Sequence, residues 1–233
     1  IGLLLGVPIA FVMGLAALSL VPTAGMNTLI GFPQRMFVGM NKFVLMSIPF
    51  FILAGILMNE GGITRRLVKF CQCVVGWVHG GLAMTTIFAE MILSGITGSA
   101  QADAAALGSV LIPAMKKEGY DAEYSAGLVA AAAVMGPIIP PSIIMIILAV
   151  IADLSVGALF LGGMIPGVLI GVSLMAVAYY YARKRNYPRG ERPTARELLT
   201  SLFDAILALL MIVIMLGGIL TGFFTPTEAA AVA

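Results

Sequence analysis

A hydrophobic run from Tyr124 to Ala152 is long enough to cross a bilayer, yet its centre reads Gly136-Pro137-Ile138-Ile139-Pro140-Pro141-Ser142. In a helix interior each proline removes an N–H and clashes with the preceding turn, at ~3 kcal/mol or more. Three prolines in five positions cannot stay helical, so the run predicts two half-helices joined by an unwound strip. Composition says where that strip lies. The chain has 233 residues, 61% hydrophobic and 10% charged, whereas soluble domains carry roughly 25% charged residues. This is an all-α integral membrane protein, and unwound backbone at bilayer depth is tolerated only when buried in protein or lining a polar cavity. The net charge of +2 is too small and dispersed for a nucleic-acid partner. Cys71 and Cys73 have no matching His or Cys set and read as structural thiols. At about 20 apolar residues per crossing, the length allows six to eight passes, which the segments below reduce to about five.

Ile1 to Leu20 predicts one spanning helix, with neither the charged leader nor the small-residue cleavage site of a signal peptide. Phe43 to Met58 predicts a second, with Pro49 inside it and Asn59-Glu60-Gly61-Gly62 after it. From Ile63, residues Ile63, Leu67, Phe70, Cys71, Val74, Val75 and Val78 fall on one helical face and Arg65, Arg66, Lys69 and Gln72 on the other. That pattern predicts an amphipathic helix lying at the interface or against a partner. Two segments of about a dozen residues follow, Leu82 to Leu93 and Ala104 to Met115, separated by Ser94-Gly95-Ile96-Thr97-Gly98-Ser99-Ala100. Neither reaches the ~20 residues of a crossing, and basic residues flank both outer ends. They predict a re-entrant hairpin with its tip at mid-membrane depth. Asp121 is a plausible N-cap for the broken segment. Val156 to Tyr181 crosses back into the densest basic stretch, Arg183 to Arg196, which the positive-inside rule makes cytoplasmic. Thr194-Ala195-Arg196-Glu197 fits a capping box that starts a short surface helix before Ala205 to Phe224 crosses again. Of the 13 basic residues, all but Arg35 and Lys42 then face the cytoplasm.

Helices that stop or start inside a membrane leave free carbonyls and N–H groups there, ready-made sites for cations and anions. The hairpin tip offers hydroxyls at Ser94, Thr97 and Ser99, glycines at Gly95 and Gly98, and Asp103 one turn further on. The strip from Gly136 to Ser142 adds carbonyls and the Ser142 hydroxyl. Secondary transporters use paired interrupted helices to hold a carboxylate substrate and coupling sodium ions, and hard oxygen donors suit an alkali cation. Gly95, Gly98 and Ser99 taken alone fit close helix packing equally well, as does the run Ala130 to Ala133. Asp103 and Glu90 are acids at membrane depth and therefore functional candidates, although Glu90 also fits an idle cavity wall. His79, after Trp77, reads as an interfacial anchor. A serine protease using Ser94 or Ser99 with His79 needs the base within hydrogen-bond reach, which about 15 intervening helical residues do not allow.

Residues 94–120, SGITGSAQADAAALGSVLIPAMKKEGY, and 136–142, GPIIPPS, resemble the large membrane subunit of tripartite ATP-independent periplasmic (TRAP) transporters. So do 33–37, PQRMF, 47–63, SIPFFILAGILMNEGGI, and 217–233, GGILTGFFTPTEAAAVA. The resemblance implies an elevator-type inverted-repeat fold, of which this chain supplies the first repeat, in a subunit nearly twice as long. The implied division is 1–80 for scaffold helices and the amphipathic helix, and 81–152 for the transport domain, with hairpin 81–115 and broken helix 122–152. Residues 153–204 then hold the returning helix and basic linker, and 205–233 the start of the next scaffold segment.

The implied function is sodium-coupled import of an organic acid, such as a C4-dicarboxylate or sialic acid, across the bacterial inner membrane, with no cofactor beyond sodium and no enzymatic activity. The implied partners are a small membrane subunit, a periplasmic binding protein and membrane lipids. The family's tip pattern, SGxSGSAxAD, maps onto Ser94, Gly95, Thr97, Gly98, Ser99, Ala100, Ala102 and Asp103, with Thr97 replacing the usual serine. Its broken helix maps onto Gly136, Pro137, Ile138, Pro140, Pro141 and Ser142. Sodium is implied at the oxygens of Ser94, Thr97, Ser99 and Gly136. Family members often have hydroxyl residues just before the break, where this chain has Ala132, Ala133 and Val134. The alternative is an elevator-type sodium/carboxylate transporter that works without a binding protein.

Overall fold

The structure, a computed structural model, describes residues 5–20 and 26–232. It comprises two compact units, Ile1–Phe43 and Val44–Ala233. In the first, helix α1 (Ile9–Ser19) is shorter than the expected span. Gly6 takes a left-handed φ of +72° and Pro8 an extended conformation, so the helix starts after them. Its 11 residues reach about 16 Å at 1.5 Å per residue. Residues 1–4, where the expected span begins, lie outside the described residues. Helix α2 (Met26–Met40) contains Pro33 and has no counterpart in the sequence reading, because Gln34 and Arg35 dilute its apolar pattern.

A short 3₁₀ turn, Phe43–Met46, leads into α3 (Ser47–Glu60), the first helix of the second unit. Pro49 is the third residue of α3, where helical N–H groups have no partner to lose. The amphipathic helix forms as α4 (Ile63–Val75), burying Thr64, Leu67, Val68 and Cys71 and exposing Arg65, Arg66, Lys69 and Gln72. It stops at Gly76, which leaves Val78 outside it. Its apolar face packs on the first hairpin helix, α5 (Gly81–Thr97), and on α10 (Ala195–Leu220). Burial pushes the Cys71 thiol up to about 12.

The hairpin arms are longer than predicted. Helix α5 has 17 residues and α6 (Ala100–Lys117) has 18, about 26 and 27 Å at helical rise. The stretch Ser94 to Thr97 stays helical, and only Gly98 and Ser99 form the turn. Arm length therefore gives no argument for re-entry. The broken segment is seen as α7 (Ala122–Ala133) and α8 (Ile143–Ala152), with the unwound strip starting slightly early, at Val134. Asp121 precedes α7 as its N-cap residue but makes no side-chain cap bond. Its carboxylate is instead paired with Arg185 and accepts a hydrogen bond from the Tyr187 hydroxyl at 2.8 Å.

Helix α9 (Val156–Lys184) runs 29 residues and α10 runs 26. The capping box at the start of α10 is present: Thr194 Oγ1 accepts from Glu197 N at 3.3 Å, and the Glu197 carboxylate accepts from Thr194 N at 2.8 Å. The separate surface helix expected before Ala205 does not exist. Neither glycine nor proline occurs between Ala195 and Gly217, so the helix continues unbroken into its apolar part. After a turn, α11 (Pro226–Val232) closes the described chain. Among the described residues three helical stretches are long and apolar enough to cross a membrane: Phe43–Glu60, α9 and α10.

The broken segment is seated by a stripe the sequence reading passed over. Gly163, Gly167 and Gly171 recur every fourth residue of α9 and are buried. A methyl group at Gly163 would fall 2.5 Å from the Ile138 carbonyl oxygen, at Gly167 2.5 Å from Ile139, and at Gly171 2.5 Å from Met91 of α5. Small residues of this kind let membrane helices approach backbone to backbone. A methyl at neighbouring Gly162 would meet nothing within 4 Å. Gly163→Ala is expected to destabilise the protein by about 1–3 kcal/mol through overpacking against a backbone atom. Gly162→Ala is expected to be neutral or to stabilise by up to ~1 kcal/mol. Thermal unfolding of the two variants in detergent checks the contrast. Maleimide counted by mass should leave Cys71 unmodified until the protein is denatured.

Candidate functional site

The hairpin turns where Gly98 adopts a φ of +59° and closes α5 by donating its N–H to Ser94 O at 3.2 Å. Ser99 is extended and caps α6, its Oγ accepting from Ala102 N at 3.5 Å. The Thr97 hydroxyl donates to the Asp103 carboxylate and accepts from Ser99 N at 3.3 Å. Asp103 is fully buried in the first turn of α6, where the helix dipole favours negative charge. The unwound strip is organised in the same manner. Ser142 caps α8, its Oγ accepting from Met145 N at 3.3 Å and donating to Pro137 O at 2.7 Å. Met135 O accepts from Ile138 N at 2.9 Å and Ile139 N at 2.8 Å, and the Pro140–Pro141 bond is cis.

These two breaks touch. A methyl at Gly98 would lie 2.5 Å from Pro141 O and 3.1 Å from Ser142 Cα. One at Gly136 would lie 2.8 Å from Asp103 Oδ2 and 2.9 Å from Ala100 N, and one at Gly95 would lie 3.4 Å from Pro140 O. The structure thus brings Gly95, Gly98, Ser99, Ala100 and Asp103 of the tip against Gly136, Pro140, Pro141 and Ser142 of the strip. Ile138 turns away, with its carbonyl toward Gly163 of α9. The hydroxyls of Thr97, Ser99 and Ser142 are used within the site itself, whereas Ser94 Oγ is buried with no hydrogen-bond partner.

Glu90 is the residue whose importance the sequence alone did not establish. It is fully buried, one helical turn before Ser94, and it faces both Ser94 and Asp103. Among the described residues, neither of its oxygens nor Asp103 Oδ2 has a hydrogen-bond partner. The i, i+4 spacing of Glu90 and Ser94 was the available signal, visible once the helix is known to continue through Ser94. On the outer side of the tip a cavity of about 480 Å³ opens between α3 and the hairpin, bordered by Gly55, Asn59, Thr97, Ser99 and Ala102. Among the described residues no charged side chain lies in its wall. His79 lies at the far end of α5, its ring edge-on to Tyr179 at 6.4 Å, about 20 Å along the helix from Ser94. Among the described residues no three His, Cys, Asp or Glu side chains gather as a metal cluster.

The profile of the tripartite ATP-independent periplasmic transporter, DctM component, matches residues 1–233. The chain belongs to this family. It is 42% identical over 230 residues to the sialic acid TRAP transporter large permease protein SiaM of Vibrio cholerae, covering 97% of this chain and 53% of that protein. To the C4-dicarboxylate TRAP transporter large permease protein DctM of Vibrio cholerae it is 40% identical over 232 residues, covering 99% and 51%. To the sialic acid TRAP transporter permease protein SiaT of Haemophilus influenzae it is 42% identical over 229 residues, covering 98% and 37%. The chain spans about half the length of the two large permeases. DctM-family proteins are transporter permeases and not enzymes, which removes the protease reading.

The backbone contact between the breaks is testable in this DctM-family chain without knowing a ligand. Gly98→Ala and Gly136→Ala should each destabilise by about 1–3 kcal/mol. Because both push apart the same contact, the double variant should cost less than the sum of the singles, with a coupling of at least ~0.5 kcal/mol. Denaturation of the four proteins completes the cycle.

Proposed function

We propose that this chain is the first half of the large permease of a TRAP transporter that imports an organic acid across the bacterial inner membrane, driven by sodium. The observation that carries the reading is the contact of the two breaks. It gathers the N-termini of α6 and α8, two helices capped by Ser99 and Ser142, beside a buried carboxylate. Helix N-termini attract anions, and free carbonyls and carboxylates attract a hard cation, so one spot suits a carboxylate substrate and its coupling ion. The substrate, of the sialic acid or C4-dicarboxylate type, would occupy the cavity beside Thr97 and Ser99. Among the described residues no charged side chain lines that cavity, so hydroxyls and helix dipoles are what this chain offers the anion.

On this reading the hairpin and broken helix form the first half of an elevator's moving part, with α3 and α10 on the scaffold side, and a second, inverted repeat completes the site. A small membrane subunit and a periplasmic binding protein serve as partners, the latter delivering substrate. The test is uptake of sialic acid and of a C4-dicarboxylate by the complete transporter in proteoliposomes, under a sodium gradient, with and without the binding protein. Ser99→Ala and Asp103→Asn are expected to raise the half-saturating sodium concentration about tenfold or more. Unchanged uptake and sodium dependence in both variants would remove the site assignment. Full uptake without any binding protein would instead favour a carboxylate transporter that works alone.

A further inference from the structure

We propose that Glu90, Ser94 and Asp103 form a second cation site inside the hairpin, behind the tip, and that Glu90 is its principal charged ligand. The inference rests on the reading of the tip as an ion-binding region; it shares Ser94 and Asp103 with that region and adds Glu90, which the tip reading does not use. Glu90 Oε1, Glu90 Oε2, Ser94 Oγ and Asp103 Oδ2 are all buried, and among the described residues none has a hydrogen-bond partner. The three residues that carry them are 0% exposed, and Glu90 faces both others. Most buried polar atoms in folded proteins are hydrogen-bonded, so four unsatisfied oxygens converging on one spot call for a missing partner.

The chemistry of the partner follows from the donors. All four are oxygens and two residues are carboxylates; the Thr97 hydroxyl is directed at one oxygen of Asp103, and the single Ser94 hydroxyl proton cannot serve the three other carboxylate oxygens. Among the described residues the one ion pair is Arg185 with Asp121, so neither carboxylate has a lysine or arginine partner. Two facing carboxylates without a counter-charge are strongly unfavourable in a dry interior. A small hard monovalent cation relieves both problems, since oxygen ligands suit it and its charge reduces that of the pair from −2 to −1. Gly136, packed against Asp103 Oδ2, closes the site from the side of the broken helix. Occupancy there would hold Asp103 and, through it, the contact between the tip and the strip.

The test is thermal unfolding of the complete purified transporter, titrated with sodium chloride against choline chloride at constant ionic strength, with lithium and potassium for comparison. In the wild type, sodium should raise the melting temperature. Glu90→Gln should move the midpoint of that effect upward at least about tenfold, and in sodium-free buffer it should melt higher than the wild type, because the uncompensated charge is gone. A purely structural glutamate would give the opposite sign without sodium. Glu90→Asp keeps the charge but withdraws it by one methylene, should shift the midpoint in the same direction, and preserves the readout if Glu90→Gln fails to fold. A Glu90→Gln protein with the wild-type sodium midpoint overturns the proposal. So does stabilisation that ignores sodium and grows only as pH falls, which would make the occupant a proton. If Ser99→Ala shifts the midpoint and Glu90→Gln does not, the tip reading survives and this inference falls; the reverse result does the reverse.

Discussion

Everything in the second unit is arranged around one contact, the hairpin turn at Gly98 lying on the unwound strip at Gly136 to Ser142. Each break taken alone would leave peptide groups unpaired in a region where no water can satisfy them, at a cost of several kcal/mol. Each is closed first from within, by a serine that caps the helix following it. They are then closed against one another, at distances that only glycine permits. The contact also fixes where the hairpin turn lies along the broken segment. Helices α7 and α8, of 12 and 10 residues, extend about 18 and 15 Å to either side of the strip. A turn that rests on the strip therefore rests near the middle of that segment. On the proposed reading, in which that segment crosses the bilayer, the tip lies at mid-depth whatever the length of the hairpin arms.

The strip was legible from sequence because proline acts locally: three missing N–H groups and three ring clashes end a helix whatever surrounds it. The capping box at Thr194 was legible for the same reason, as was the two-sided pattern of α4. The hairpin tip was not, because serine, threonine and glycine are only weakly disfavoured in helices, and packing decided their state. Ser94 to Thr97 remain helical with Gly95 against Pro140 O and Ile212, contacts distant in the chain. The continuity of α10 is masked in the sequence by its charged start, which has the pattern of a separate surface helix although no breaker separates Asp204 from Ala205. Every residue of the candidate site was named from sequence or family pattern, but which oxygens are already engaged, and that Glu90 faces Asp103, required the fold.

The remainder of the second unit holds that contact in place. The glycine stripe of α9 accepts the strip on one face, while Leu161, Ile165, Leu169 and Val172 on its other faces stay exposed. At its basic end α9 is fastened: Arg185 pairs with Asp121 at the start of α7, and Tyr187 stacks on Tyr120 at 4.2 Å. The broken segment is thus held along its middle by glycine packing and at its entrance by an ion pair. The exposed pair itself contributes little in water, but it fixes which turn of α9 meets which turn of α7, and so keeps the glycines opposite the strip.

The charge distribution then bears on the order of events in transport. Basic side chains cluster at the ends of the helices, with Arg65, Arg66, Lys69, Lys116 and Lys117 exposed, and the described interior holds the two carboxylates Glu90 and Asp103. An organic anion approaching Thr97 and Ser99 meets attraction from the starts of α6 and α8, worth about 0.3–2 kcal/mol each, and repulsion from the carboxylates close behind them. Repulsion between unit charges at low dielectric exceeds such dipole attraction. On the proposed reading, the site therefore binds its anion well only after cations have offset the carboxylates. Sodium would enter first for an electrostatic reason, and the affinity for substrate would carry the sodium dependence without any sodium–substrate contact.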